Sequence, residues 1–260
     1  MKLLKTCASY IAPLAITAGL LLGATTANAW ELSRMNQQID QTNFIVNEGC
    51  AGTLIDLERK RILSAEHCVT NLTKIVEEEI LKEDGTVEKI KKYYRAPLEV
   101  AQIVRDNNGN ITGQVNYRAK IPRTRVNRDL ALIEIQGDIQ NTQAAKVATE
   151  ITRGEPVYIV GNPLGLNNNL TKGIISHVKR ELLGLGGYDN SRVFTQIDGG
   201  VWFGNSGGGV FNEAGELVGV AVMVYRPAPH IAFAVDLDDI LKFLEDPASI
   251  PEYSNYGVHP

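Results

Sequence analysis

The chain has 260 residues, 44% hydrophobic and 22% charged, with a net charge of −4. Such a length and composition suit a globular protein with a sizeable core, in one domain or two tightly joined lobes. The acidic balance, with no basic stripe, argues against nucleic-acid binding.

Residues 1–29 read as a leader. Lys2 and Lys5 form a positive start, Ile11 to Gly23 is almost unbroken apolar sequence, and Ala27-Asn28-Ala29 has the A-x-A form of a cleavage site. The apolar stretch is short for a spanning helix. The expectation is a secretory signal peptide cut before Trp30, with an uncleaved anchor as the alternative. No other long apolar run follows. The mature chain is therefore expected to be exported, periplasmic or secreted, without stable membrane association. The segment from Trp30 to Asn43 is compatible with a removable propeptide.

From Phe44 onward, short apolar runs alternate with turns: "AGTLIDL", "RILSA", "LALIEI", "PVYIVG", "KGIISHV", "RVFTQI", "ELVGVAVMV" and "HIAFAV". This is the pattern of an all-β sandwich or barrel pair. Between Ile75 and Tyr94 lie "EEEI", Asp84-Gly85 and "KIKK". A two-residue turn at Asp84-Gly85 would set Glu77 opposite Lys92 and Glu78 opposite Lys91. A solvated hairpin is the plain reading, and substrate steering or docking the other. A lobe boundary is expected between Gln136 and Gly154. A helix is predicted after the N-cap Asp236, with Leu237, Ile240, Leu241 and Leu244 on one face and Pro247 ending it.

Two cysteines, Cys50 and Cys68, remain beyond the leader, and in an exported chain such a pair reads as a disulfide. A metal cluster around Glu66-His67-Cys68 would need further ligands, and His177, His230 and His259 are scattered. Neither metal nor cofactor is expected.

The stretch "GNSGGGVF", Gly204 to Phe211, sets one hydroxyl among four glycines. A serine hydroxyl needs a base to take its proton and donors aimed at the oxyanion that forms. Glycine lets the backbone turn sharply there, so that Gly204 and Ser206 N–H groups can converge. Taken alone, the stretch is also compatible with a glycine-rich turn. "SAEHC" offers His67, and Asp129 opens the apolar run "LALIEI", where a partly buried carboxylate needs a partner.

Together, "AGTLI…LSAEHC", "DLALI" and "GNSGGGVFNEAGELVGV" resemble the trypsin/chymotrypsin-like serine peptidases, in the order His, Asp, Ser, from about Gly49 to Val235. "IVGNPLGL", "QIDGGVWFGNSGGGVFN" and "HIAFAVDLDDILKFL" are most similar to bacterial HtrA/Deg-type protease domains. The resemblance implies two six-stranded antiparallel β-barrels with a short C-terminal helix. It places an N-terminal barrel at about 42–140 and a C-terminal barrel at about 150–236 within a protease domain over 30–245, followed by a tail at 246–260. It implies Ser206 as nucleophile, His67 as base, Asp129 as orienting carboxylate, Gly204 and Ser206 as oxyanion donors, and protein or peptide substrates. The primary pocket would hold Gly200 at its base and Val222, Met223 and Val224 on its wall, favouring apolar residues. His230 near that pocket would favour an acidic residue instead. HtrA-type proteases commonly carry a PDZ domain after the catalytic domain, and no room for one is expected before Pro260.

Two residues and one segment depart from the family pattern. Glu66 stands where Ala is usual; such an acid either perturbs His67 electrostatically or faces solvent, and solvent is the expectation. Asn205 stands where digestive members have the Asp that pairs with a new N-terminus, and "WELSRM" lacks their usual start, so that activation switch is expected to be missing. A non-catalytic binding module and an esterase are the competing readings. The intact His67, Asp129 and Ser206 argue against the first, and the all-β context of "GNSGG" against the second.

Overall fold

The computed structural model describes residues 31–246, apart from 48, 71, 83–84, 96, 107 and 183–191. The leader reading of 1–29, Pro247 and the tail fall outside the described residues.

A helix, α1, covers residues 31–42. There follow β1 (Asn43–Val46), β2 (Cys50–Asp56), β3 (Arg61–Ser64), the single turn α2 (His67–Thr70), β4 (Thr73–Leu81), β5 (Val87–Arg95), β6 (Leu98–Arg105), β7 (Ile111–Arg125) and β8 (Leu130–Gln136). The second half holds β9 (Pro156–Gly161), β10 (Asn169–Glu181), β11 (Val193–Gly199), β12 (Gly209–Phe211), β13 (Leu217–Val224), β14 (Ile231–Val235) and α3 (Leu237–Glu245). The strands close into two six-stranded antiparallel barrels, in the orders β1-β2-β3-β8-β7-β6 and β10-β11-β14-β13-β12-β9. This is the all-β architecture expected from the sequence.

Strand β8 explains how the barrels join. Side chains alternate along a strand, yet Leu130 to Ile133 are all buried. Ala131, Ile133 and Ile135 point into the first barrel, onto Phe44, Leu54 and Ile62. Leu130 and Leu132 point the other way, into a seam shared with Tyr158, Val160 and Phe211 of the second barrel. Both faces of β8 are thus core, which is why its sequence is a continuous apolar run.

Helices from both ends of the domain close this seam. Met35 and Ile39 of α1 and Ile240 and Phe243 of α3 belong to the same apolar cluster. Asp236 caps α3 by accepting the Asp238 N–H at 3.2 Å. The buried face of α3 is Leu237, Ile240 and Phe243, with Leu241 and Leu244 only partly covered. Arg128 pairs with Asp239 at 3.1 Å.

The charged hairpin requires a correction. Its pairs are Val76–Lys92, Glu77–Lys91 and Glu79–Lys89, one residue away from the expected register. Lys82 N–H bonds to Thr86 O, and Gly85, at φ +82°, bonds back to Lys82 O. The loop therefore spans three residues rather than two, and an odd loop ending in a left-handed glycine moves every pair by one. Strands β4 and β5 form their own two-stranded sheet, outside both barrels. Among the described residues no helix is long and apolar enough to cross a membrane.

Ile39 is fully buried in the seam. Ile39→Ala is expected to lower unfolding free energy by about 2–5 kcal/mol, read as a lower midpoint in guanidinium denaturation. An unchanged midpoint would show that α1 contributes nothing to the seam.

Candidate active site

Chain geometry fixes His67 before any side chain acts. It begins α2, separated from Ser64 at the end of β3 only by Ala65 and Glu66. The turn is closed by Cys68 N–H to Ala65 O and Val69 N–H to Glu66 O, at 3.3 and 2.9 Å. Cys68 is bridged to Cys50 at the head of β2, as the cysteine count suggested. The sulfurs of Cys50 and Cys68 and a His67 ring nitrogen lie within 4.8 Å of one another. The two sulfurs are bonded to each other, however, so neither offers the free thiolate a metal needs.

Asp129 follows the short 3-10 turn Val126–Arg128 and takes the left-handed conformation, φ 54°. Its carboxylate reaches His67 twice. Oδ1 accepts the His67 main-chain N–H at 2.9 Å, and both oxygens lie against ring Nδ1, at 3.1 and 2.9 Å. With Nδ1–H donating to the carboxylate, Nε2 keeps its lone pair. Asp129 is mostly covered and His67 is about half open. The bond from Asp129 is the main reason the His67 pKa lies above its ordinary value; burial opposes it, the charges of Asp129 and Glu66 add to it, and Arg192 subtracts. For Asp129, burial pushes the carboxyl up. The His67 ring bond, its charge, its main-chain N–H and Arg192 outweigh that and hold the pKa below the usual value.

Glu66 does not face solvent as expected. It is only 7% exposed, and its Oε1 accepts the Thr70 hydroxyl at 2.8 Å. The α2 turn folds the acid inward, where Thr70 one turn on supplies a donor.

Gly204, Gly207 and Gly208 meet their neighbours at backbone contact. A methyl group on Gly204 would overlap Asn162 O, on Gly207 Ala51 O and Ser64 Oγ, and on Gly208 Val160 O. Gly204 and Gly207 also take φ of +102° and +81°, which side chains rarely adopt. Ser206 O accepts Ala51 N–H at 2.8 Å, so the loop bonds to the strand that carries Cys50. Asn205 N–H bonds to Trp202 O, Gly207 N–H to Ala221 O and Gly208 N–H to Asn205 O. Gly204 and Ser206 N–H donate to no protein acceptor among the described residues. Nor does a hydrogen bond join the Ser206 hydroxyl to the His67 ring among those residues. Such bonds are often long in free enzymes and tighten when substrate binds.

A cleft of about 330 Å³ is lined by Glu66, His67, Val126, Asp129, Arg192 and Val222. Met223 packs instead against Leu182, Phe194 and Phe233. Val224 is half-buried further along the same strand. Gly200 is exposed, and a methyl group there would stand 3.3 Å from Thr171 Cγ2. His230 O accepts Gly199 N–H at 2.8 Å, which places its main chain beside Gly200. Sequence reading missed Arg192, which faces the cleft, and Asn162, whose N–H bonds to Gly204 O at 3.0 Å. The only signal for Asn162 was its place in "GNP".

The family profile described as "Trypsin-like peptidase domain" matches residues 50–220. Over 121 residues the chain is 35% identical to the mitochondrial serine protease HTRA2 of Drosophila virilis; that stretch is 46% of this chain but only 28% of the relative's length. An HtrA-type protease solved with a tripeptide superposes with a TM-score of 0.58 at 20% identity, covering 82% of this chain and 62% of that one. Deg5 superposes at 0.57 and 18% identity, covering 83% and 92%. At these identities the structural likeness speaks for the fold.

The His67 imidazole is expected to titrate above the usual value of about 6.5 in NMR spectra. Asp129→Asn should move the midpoint down, because bond and charge are lost together. An unmoved midpoint would remove Asp129 as the cause.

Proposed function

This chain belongs to the trypsin-like peptidase domain family, and we propose that it is an exported serine endopeptidase. The observation that carries the proposal is the double hold of one carboxylate, Asp129, on both the main chain and the ring of His67. In this reading, Ser206 Oγ attacks the scissile carbonyl while His67 Nε2 takes its proton. The tetrahedral oxyanion is received by the uncommitted N–H groups of Gly204 and Ser206. The imidazolium then gives its proton to the leaving amine, and the C–N bond breaks to leave an acyl-enzyme. Water, deprotonated by His67, attacks the ester; the acid product leaves and Ser206 recovers its proton. Asp129 stays ionised throughout and stabilises the charged ring.

Substrates in this reading are proteins or peptides cut after apolar, mainly aliphatic, residues. Gly200 brings no charge to the pocket base, and Val222, which lines the cleft, and Val224 are apolar. Export is supported by the leader pattern at 1–29 and by the Cys50–Cys68 bridge, which suits an oxidising compartment. Residues 30–245 would be the catalytic domain and 246–260 a tail.

The test compares the chain from Trp30 with Ser206→Ala, using unfolded casein and a fluorophosphonate probe, with mass spectrometry of the fragments. Cleavage and labelling are expected for the parent alone, and cuts mainly after Lys or Arg would refute the pocket assignment. The acidic limb of kcat/KM should lie above pH ~6.5, since His67 must be neutral to accept the proton and its pKa is raised. Asp129→Asn should lower kcat on the order of 10⁴-fold.

A further inference from the structure

The nucleophile loop is held from behind by a chain of amides that starts on α1. Glycine at 204 makes peptide rotation easy, so outside bonds must set the direction of its N–H. Two such bonds come from the turn after β9. Leu164 N–H donates to Phe203 O at 3.0 Å, which orients the peptide whose other end is the Gly204 N–H. Asn162 N–H donates to Gly204 O at 3.0 Å and orients the next peptide. The buried Asn162 side chain then reaches the other barrel, with Nδ2–H donating to Cys50 O at 2.9 Å. Its Oδ1 accepts the Asn168 N–H, also at 2.9 Å.

Asn168 carries the chain onward. Its Nδ2–H donates to Asp40 Oδ1 at 3.0 Å, and its Oδ1 accepts from Asn43 Nδ2–H at 2.6 Å. Asp40 lies on α1, and its Oδ2 faces Arg105 at 3.5 Å. Residue 168 sits in the left-handed region, φ 58°, which asparagine tolerates better than most residues. Asn205, before the nucleophile, carries no charge, and it is buried against Gly161.

We propose that α1 is a built-in strut for the oxyanion site: through Asp40, Asn168 and Asn162 it steadies the turn after β9, whose Leu164 and Asn162 N–H groups hold the two peptides on either side of Gly204, so that the Gly204 N–H stays aimed at the oxyanion beside that of Ser206. Asn162 and Asn168 are positioning residues, and residues 31–42 are part of the working enzyme rather than a segment to be removed. The inference rests on the serine peptidase reading of the site.

The test uses Asn168→Asp, which keeps size and backbone preference but turns the donor facing Asp40 into a second carboxylate. The double substitution Asp40→Asn with Asn168→Asp restores one donor and one acceptor. Leu244→Ala, in α3, controls for general loss of stability. Readouts are kcat, KM, affinity for a peptidyl boronate whose tetrahedral anion fills the oxyanion site, and amide exchange over residues 201–208. Asn168→Asp should lower kcat and boronate affinity by about 10–100-fold with KM little changed, and speed exchange in the loop. The double variant should recover most of this, and Leu244→Ala should lower Tm without it. Parent-like kcat and boronate affinity in Asn168→Asp, or an equal loss in Leu244→Ala, would overturn the strut. A parent chain that cuts no peptide and takes no phosphonate would overturn the peptidase reading alone. Loop exchange then decides the strut by itself: faster exchange in Asn168→Asp upholds it, and unchanged exchange overturns it.

Discussion

The close approach of one backbone segment to two barrels at once is the constraint on which the rest of the molecule depends. Between Gly204 and Gly208 the chain runs against carbonyl oxygens of Ala51 on one side and of Val160 and Asn162 on the other. No side chain fits in those gaps. The glycines are therefore required by space as much as by conformation. The same approach lets Ser206 O bond to Ala51 N–H, next to the cysteine that is bridged to the neighbour of His67. Main-chain bonds and one covalent link thus bring the hydroxyl loop and the histidine loop to a common place without help from either side chain.

On that frame the electrostatics can be simple. Covering a carboxylate disfavours its charge, and the cover around Asp129 would leave an unpaired acid in a poor position. Two His67 donors answer it, one of them a main-chain N–H that cannot rotate away. The pair therefore acts as one unit, with Asp129 biased to stay ionised and His67 biased to hold a proton more tightly. Glu66 adds to this field from the buried side of α2, and Arg192 works against it from across the cleft.

Much of this was legible in residue order. The apolar runs became strands with bounds shifted by a residue or a few, because barrel strands with a buried face announce themselves by composition. Strand β7 was not seen. Its apolar residues Val115, Tyr117, Ala119 and Ile121 do alternate with polar ones, and the last three rest on the first barrel, but they are spread among charged and polar neighbours and only partly covered, so no apolar run marked it. Helix α1 was missed as well: it rests on Met35 and Ile39, two apolar anchors too few to stand out over twelve polar-rich residues. The hairpin register depended on whether its loop held two residues or three, which composition does not decide. The inward turn of Glu66 depended on Thr70, one helical turn away. His67, Asp129 and Ser206 stood out because each sits beside a strong local signal: a cysteine, an apolar strand, a glycine run. Asn162 and Asn168 lacked such a signal, since their partners are far apart in the chain.

The seam between the barrels is closed by α1 and α3, with Ile39 and Phe243 in one cluster. This has a consequence for synthesis. A ribosome releases His67, then Asp129, then Ser206, but the packing that seats the two barrels waits for α3. A growing chain that already contains all three side chains still lacks the completed seam behind them. The interface that aligns the two halves is finished only once residues 237–245 have emerged, so the order of the chain sets the order in which the seam and the three side chains come together.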